Sequence, residues 1–209
     1  MSCSNYVVKT FAHVAGLIGI TAIGTRIEAL APVAEFMHRG GLFMKVVKLL
    51  VFIGLFVLFM MMTAGPLKYI AAIAFALFFG ANMYGLVEKL ITKEDLTRVL
   101  VSLTAVSAAM IGLALWDKSG KIMTFLPVLA VGLFAVVGVS LYYYFKDERR
   151  PKWLSAIVGA LFAVFIAVDT QIIRKHATLC MPGGADYIKE SFGLYLDILN
   201  LFQALGSSD

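Results

Sequence analysis

Two carboxylates lie near the middle of the last two apolar stretches of the chain. Asp169 lies in the stretch 152–175 and Asp197 in the stretch 187–205. A charged aspartate near the middle of a bilayer costs roughly 2.5 to 3.5 kcal/mol on insertion scales. Carboxylates that are kept inside membrane helices commonly bind ions or transfer protons. The chemistry open to this sequence therefore depends on these two side chains.

The short connection between these stretches, with the turn sequence PGG at 182–184, makes them antiparallel neighbours, so that the two carboxylates can meet. Two unit charges about 4 Å apart repel by about 4 kcal/mol at an effective dielectric constant of 20. Such a pair shares one proton over a pH range that can include neutrality, and it titrates as a unit. The shared proton would hold the two helices together as a latch, and its loss would leave like charges facing each other.

Separated carboxylates also form a hard-oxygen environment that suits Ca²⁺. Asn200 follows Asp197 by three residues and can add an amide oxygen, and Thr170 adjoins Asp169. The resulting Ca²⁺ site at Asp169 and Asp197 would be weak and transient, as permeation requires. Alternatively, threonine, asparagine or backbone groups satisfy each aspartate, which then only ties helices together. Glu88, beside Lys89, is a further candidate, either as an interfacial charge or as a pore-lining group.

The composition places these residues in a membrane protein. Of the 209 residues, 61% are hydrophobic and 15% are charged, and the mean hydropathy is +0.90. No soluble globular domain of this size has such a composition. The net charge of +5 is spread between the apolar stretches. It is typical of membrane anchoring and excludes a nucleic-acid footprint.

Apolar windows of about 20 residues, enough to cross a bilayer as helix, predict an all-α integral membrane protein with a single transmembrane domain over residues 1–209. The prediction is a bundle of seven transmembrane helices, or of six with a re-entrant seventh segment, because the last window is short. The predicted helices cover residues 11–31, 42–63, 67–90, 96–116, 122–145, 152–175 and 187–205.

Small residues predict where these helices approach one another. Gly80, Asn82 and Gly85 in the third segment are small and polar residues of this type. Ala108 and Gly112, four residues apart, predict that the fourth helix is buried and tightly packed. No nucleophile with a base, metal-ligand cluster or phosphate-binding loop is present, so we expect neither an enzyme nor a bound cofactor.

The motifs around the two aspartates closely resemble the signature of the Bax-inhibitor (transmembrane BAX inhibitor motif) family. They read FIAVDTQII at 165–173, DYI at 186–188 and LYLDILNLF at 194–202. The resemblance implies a seven-helix bundle with the last helix at its centre. It also implies a pH-sensitive Ca²⁺ leak channel that restrains stress-induced cell death. Asp169 and Asp197 would be the family's pH-sensing pair.

The resemblance also implies the surroundings of the protein. These are a lipid bilayer, Ca²⁺ as the permeating ion and apoptosis-regulating membrane proteins as partners. The membrane would be that of the endoplasmic reticulum or Golgi in a eukaryotic or viral setting, and the plasma membrane in bacteria. Two other functions stay open: an interaction protein that modulates apoptosis or stress signalling without conduction, and a proton-coupled cation exchanger.

One departure from the family pattern concerns the end of the second segment. Bacterial members place a basic residue there against the carboxylates, whereas this chain reads MMMTA at 60–64 and has no Arg or Lys before Lys68. Without a nearby cation the pair is expected to hold its proton more strongly. The sequence therefore predicts a gate that opens at a higher pH than in members with the basic residue.

Overall fold

The computed structural model describes residues 4–27, 41–63, 65–146, 151–179 and 186–207. Within these residues the chain forms seven long α-helices and one short 3₁₀ helix, Lys121–Phe125, and no strand. The α-helices are α1 (Ser4–Ile27), α2 (Leu42–Met61), α3 (Pro66–Thr92), α4 (Leu96–Trp116), α5 (Leu126–Lys146), α6 (Lys152–Leu179) and α7 (Tyr187–Gly206).

The first six of these helices are long and apolar enough to cross a membrane. The chain is therefore a multi-pass integral membrane protein with an all-α fold, as the composition predicts. α7 does not meet the same standard of apolarity, because it carries Lys189, Glu190 and Asp197. It is nevertheless one continuous helix of 20 residues, about 30 Å long, and not a re-entrant hairpin.

α7 lies at the centre of the bundle, as the family resemblance implies. It packs against α1, α3, α4 and α6. It also reaches α2, because the ring of Phe192 stacks on Phe59 with 4.0 Å between centroids. Lys189 is the only residue of α7 that is exposed. The polar side chains of α7 are thus enclosed by protein and not by lipid.

The helices alternate in direction, so that one end of the bundle gathers the starts of α1, α3, α5 and α7 with the ends of α2, α4 and α6. We call this the N-terminal end. Contacts across it join the start of α3 to the start of α7 and the end of α6 to the end of α4. At the opposite end Lys45, near the start of α2, donates to the carbonyl of Tyr144, near the end of α5.

Three helix boundaries differ clearly from the predicted ones: the start of α1, the end of α6 and the start of α5. α1 begins at Ser4 and not at residue 11, because its first turns pack against the bundle although they contain polar residues. Thr10, for example, is fully buried and donates to the carbonyl oxygen of Tyr6. Residues 28–31, the predicted end of this helix, lie outside the described residues. α6 continues beyond residue 175 to Leu179, where His176 contacts α7.

A proline explains the start of the fifth segment. The sequence predicts a helix from residue 122, whereas α5 begins at Leu126 after the 3₁₀ helix. Pro127 lies in the first turn of α5. Proline fits a first turn because the amide that it lacks has no partner there, and it would break a longer helix that began upstream.

The small-residue predictions have mixed outcomes. Gly80 of α3 meets Gly24 of α1 so closely that a Cβ atom on Gly80 would lie 2.2 Å from the carbonyl oxygen of Thr21. A Cβ on Gly85 would meet nothing within 4 Å, and Asn82 donates to the carbonyl of Phe78 in its own helix.

The prediction for α4 is wrong. Only Val99 and Ala114 of that helix are buried, and a Cβ on Gly112 would meet nothing within 4 Å. Small residues allow close approach, but among the described residues no helix packs against Gly112.

Candidate functional site

The two aspartates lie at the same depth on neighbouring helices. Asp169 lies ten residues before the end of α6 at Leu179, and Asp197 lies ten residues after the start of α7 at Tyr187. Each is therefore about 15 Å from the N-terminal end of the bundle. Asp169 packs against α7 at Gly193, one helical turn before Asp197. The structure thus brings the two aspartates to the same part of the contact between α6 and α7, as the antiparallel arrangement predicts.

A glycine allows the Asp169 carboxylate to pack against α7. A Cβ atom built on Gly193 would lie only 2.7 Å from Oδ2 of Asp169, well inside normal contact distance. Gly193 lies one helical turn before Asp197. The position of the Asp169 side chain therefore requires glycine at residue 193.

Asp197 is the more enclosed member of the pair. Its exposed fraction is 8%, whereas Asp169 is half-buried. Oδ2 of Asp197 has no hydrogen-bond partner in the described part of the chain. A buried carboxylate oxygen without a partner is costly, so the site holds electrostatic strain that a proton or a cation would relieve.

A cavity of about 490 Å³ extends from the N-terminal end of the bundle to Asp169. We call it the first cavity. Besides Asp169 it is lined by two acidic side chains, Asp186 and Glu190, and by two basic ones, His176 and Lys189. Lys189 is exposed, so this residue marks the mouth. The first cavity connects the surface to one carboxylate of the pair.

Lys68 provides a buried cation beside this cavity. It is 2% exposed, forms an ion pair with Asp186 and has its ammonium group 5.0 Å from the centre of the Phe59 ring. Asp186 also caps α7 by accepting from the backbone amide of Lys189 at 3.2 Å. The sequence predicts no cation near the carboxylates. Lys68 supplies one from the start of α3, and its partner is Asp186 and not the Asp169–Asp197 pair.

Further polar side chains close the N-terminal end around the first cavity. His176 of α6 pairs with Glu190 of α7. The second carboxylate oxygen of Glu190 is buried without a hydrogen-bond partner among the described residues, and the Tyr6 hydroxyl lies near this carboxylate. Nδ1 of His13 lies 2.5 Å from the hydroxyl of Ser191. The cavity therefore ends in a network that joins α1, α6 and α7.

A second cavity, of about 340 Å³, lies between α2, α3, α5, α6 and α7. Its walls are mostly apolar, and its polar lining comes from one cation and several neutral side chains: Lys48, Asn82, Ser140, Asn200 and Gln203. Along α7, Gly193 lines the first cavity and Asn200 lines the second. Asp197 lies between these two residues and lines neither cavity. Along α7, Asp197 therefore lies between a residue that lines the first cavity and a residue that lines the second.

Comparison with known proteins identifies the family. The sequence profile of a family described as "Inhibitor of apoptosis-promoting Bax1" matches residues 3–207, which include all seven helices. The chain belongs to the Bax-inhibitor family. The resemblance carried by the two aspartate motifs is thus confirmed. No curated protein matches the sequence.

The other predicted site residues of this Bax-inhibitor family member lie in different surroundings. Thr170 is buried, and its hydroxyl donates to the carbonyl of Ile166 at 2.7 Å. Asn200 donates to the carbonyl of Leu196 at 2.8 Å and lines the second cavity. Glu88 is exposed near the end of α3, the helix that begins at the N-terminal end. The structure therefore does not bring Glu88 to the aspartate pair.

Four charged residues of the site were missed by sequence reasoning: Lys68, His176, Asp186 and Glu190. One signal could have found Glu190, because it precedes Asp197 by seven residues and so lies on the same face of α7. Asp186 lies in the family motif itself. Lys68 and His176 lie near helix ends, where a charged group is normally interfacial, and only their packing shows otherwise.

The arrangement differs from a resident metal centre. In the described part of the chain, no three side chains of His, Cys, Asp or Glu come close enough together to hold a metal ion. The acidic groups are instead distributed along the first cavity, from Asp186 through Glu190 to Asp169. The same cavity also holds His176 and Lys189, so acidic and basic side chains share its lining.

Proposed function

We propose that the protein is a Ca²⁺ leak channel in which the Asp169–Asp197 pair is the gate. The observation that carries this proposal is that Asp197 lies on α7 between Gly193, which lines the first cavity, and Asn200, which lines the second. A conduction path needs openings from both sides and a barrier where they meet. The pair occupies that barrier, at about mid-depth in the bundle.

The first cavity has the chemistry of a cation entrance. Asp186, Glu190 and Asp169 offer carboxylate oxygens, the ligands that Ca²⁺ prefers. Lys68 partly neutralises Asp186, and the ring of His176 contacts Glu190. Ca²⁺ would therefore be held weakly at each position, and weak binding in series permits permeation.

The gate would act through the packing of α6 on α7. When one proton is shared, Asp169 can remain against Gly193 beside Asp197. When both carboxylates are charged, their repulsion, about 4 kcal/mol at 4 Å and an effective dielectric constant of 20, opposes this packing. Separation of the helices would join the two cavities past Asp197. Lys68 pairs with Asp186 and not with the Asp169–Asp197 pair. The higher opening pH that the sequence predicts stays a prediction.

Ca²⁺ flux into liposomes that hold the purified protein tests the proposal. We expect flux that depends on pH between about pH 5 and pH 8. Asp169→Asn and Asp197→Asn should abolish the flux or its pH dependence. Glu88→Gln is the matched control, because it also replaces a carboxylate by an amide, but outside the path. No flux above that of empty liposomes, with all proteins folded, would refute the channel.

A proton-coupled cation exchanger is the second candidate. It is favoured by the ionisable groups His176, Glu190 and Asp169, which line one cavity and could pass a proton along it. The two functions differ in their driving force. An exchanger accumulates Ca²⁺ against its gradient when a proton gradient is applied, whereas a leak channel responds only to the pH value and to the Ca²⁺ gradient.

We also propose, from its family membership, that the protein suppresses cell death. It would act in the endoplasmic reticulum, the Golgi or another membrane of the host. This proposal is tested by expressing the parent and Asp197→Asn in stressed cells. Loss of protection together with loss of flux would link the two. If protection persists in a variant without flux, the protein acts by binding apoptosis-regulating membrane proteins.

A further inference from the structure

A basic cavity of about 400 Å³ lies at the N-terminal end of the bundle, between the turn that follows α4 and the end of α6. It is separate from the proposed conduction path. Three cationic side chains line it, Lys118, Arg174 and Lys175, with one carboxylate, Asp117. A concave site with this excess of positive charge fits an anion.

The carboxylate in this cavity is already fully engaged. Oδ1 of Asp117 accepts from the backbone amide and the hydroxyl of Ser119, at 3.0 and 2.5 Å. Oδ2 accepts from the side-chain amide of Gln171 at 3.0 Å and from the amide of Ile122 at 3.3 Å. These bonds, from Ser119 first, hold the pKa of Asp117 well below its usual value. Asp117 therefore builds the turn and pairs with none of the cations, and the three cations still outnumber this one carboxylate.

Arg174 fixes the turn against α6. Its Nη1 donates to the carbonyls of Leu115 at 3.0 Å and Ala114 at 3.4 Å, at the end of α4. A guanidinium has further N–H donors on Nε and Nη2. In the described part of the chain, neither Lys118 nor Lys175 pairs with a carboxylate. The cavity thus has a rigid wall and cations that remain available.

The depth of the cavity in the membrane identifies the kind of anion. α4 ends at Trp116, which is 84% exposed and immediately precedes Asp117. Tryptophan at the end of an apolar span is typical of the level of lipid headgroups. Basic pockets between membrane helices at this level bind anionic headgroups. A volume of about 400 Å³ is within the range of small-molecule sites.

We propose that this cavity binds the phosphate of an anionic phospholipid headgroup, with Lys118, Lys175 and Arg174 as its ligands. The site would fix the ends of α4 and α6 to the lipid leaflet. The lipid composition would then influence the position of α6, the helix that carries Asp169. Binding at the site does not depend on whether the protein conducts Ca²⁺.

The chain has two tryptophans, Trp116 beside the cavity and Trp153 at the start of α6, near the opposite end. Trp153→Phe therefore leaves Trp116 as a local reporter. This protein is reconstituted in phosphatidylcholine bilayers with a small fraction of brominated phosphatidic acid or, for comparison, brominated phosphatidylcholine. We expect brominated phosphatidic acid to quench Trp116 several-fold more strongly, because the site enriches it.

Lys118→Gln with Lys175→Gln should reduce the apparent affinity for phosphatidic acid about fivefold per lysine. Both side chains are exposed, so the fold should persist, as thermal unfolding would verify. The matched control is Lys9→Gln with Lys189→Gln, which removes the same charge from the same end. Equal loss in the control, or equal quenching by both lipids, overturns the proposal. Reversal by soluble phosphate at constant ionic strength would assign the site to a free phosphate instead.

Discussion

Replacing Gly193 by alanine tests the proposed gate without changing any ionisable group. The new methyl carbon would lie 2.7 Å from Oδ2 of Asp169, whereas non-bonded atoms prefer about 3.5 Å or more. Either the carboxylate moves by roughly 0.8 Å or α6 and α7 separate by a similar distance. Overpacking of this kind costs about 1 to 3 kcal/mol if the packing of α6 holds the carboxylate in place, and less if the carboxylate turns aside.

This cost falls on the closed arrangement, in which Asp169 packs against α7, and is relieved when the helices separate. Alanine also favours a helix by about 0.5 to 1 kcal/mol relative to glycine, but it does so equally in both arrangements. The ratio of open to closed protein should therefore rise by about 5-fold to 150-fold. Flux should rise by the same factor until most of the protein is open.

The measurement is Ca²⁺ flux into liposomes at a pH at which the parent conducts slowly. Gly85→Ala in α3 is the matched control, because a Cβ atom there would meet nothing within 4 Å. The control should conduct like the parent. Should Gly193→Ala also conduct like the parent, or more slowly, while it remains folded, the contact between Asp169 and Gly193 does not hold the gate closed.

Three further predictions concern stability, and thermal unfolding in detergent measures each. Gly80→Ala should destabilise the protein by about 1 to 3 kcal/mol, because the new methyl meets backbone that cannot move aside; unchanged stability would refute the close crossing of α1 and α3. Asp186→Asn keeps the cap of α7 but leaves the buried Lys68 without its partner, whereas Lys68→Met leaves only a partly exposed carboxylate unpaired. Asp186→Asn should therefore lower the free energy of unfolding more than Lys68→Met, and the reverse order would contradict this. The pKa of Asp117 is lower in the folded protein than its unfolded value of 3.8, so the ionised carboxylate stabilises the fold above pH 3.8, and this stabilisation is lost as the pH falls towards the folded pKa. Asp117→Asn should therefore lose less stability than the parent over that pH range. Identical pH profiles of the two proteins would exclude this contribution.

The sequence was sufficient to predict the helices and to predict that the two aspartates lie on neighbouring helices that pack together. Hydropathy is a local property, and a window of about 20 apolar residues can satisfy its backbone in lipid only as a helix. The short connection before Asp186 then left α6 and α7 few alternatives to antiparallel packing. The depths of Asp169 and Asp197 follow from that arrangement, because each lies near the middle of its helix.

Tertiary packing decided what the sequence could not. Lys68 and His176 have the positions of ordinary interfacial charges, yet one is buried against Asp186 and the other pairs with Glu190. The small residues at Ala108 and Gly112 have the spacing of a packed helix, yet Gly112 faces open space. A spacing pattern says which surfaces can approach, and the positions of the other helices decide which do.

α7 is the least apolar of the seven helices, and its position at the centre of the bundle explains how it can lie within the membrane. α2 and the fifth span have the highest mean hydropathy of the six candidate spans. Phe59 is the only buried residue of α2. α2 faces lipid, so almost any polar side chain would be costly there. α7 is enclosed by other helices, which replace lipid around Glu190 and Asp197 with polar groups and cavities. Its carboxylates are tolerable because they lie at the centre of the bundle. In the channel that we propose, the same arrangement would let Asp197 and the half-buried Asp169 control the passage of ions.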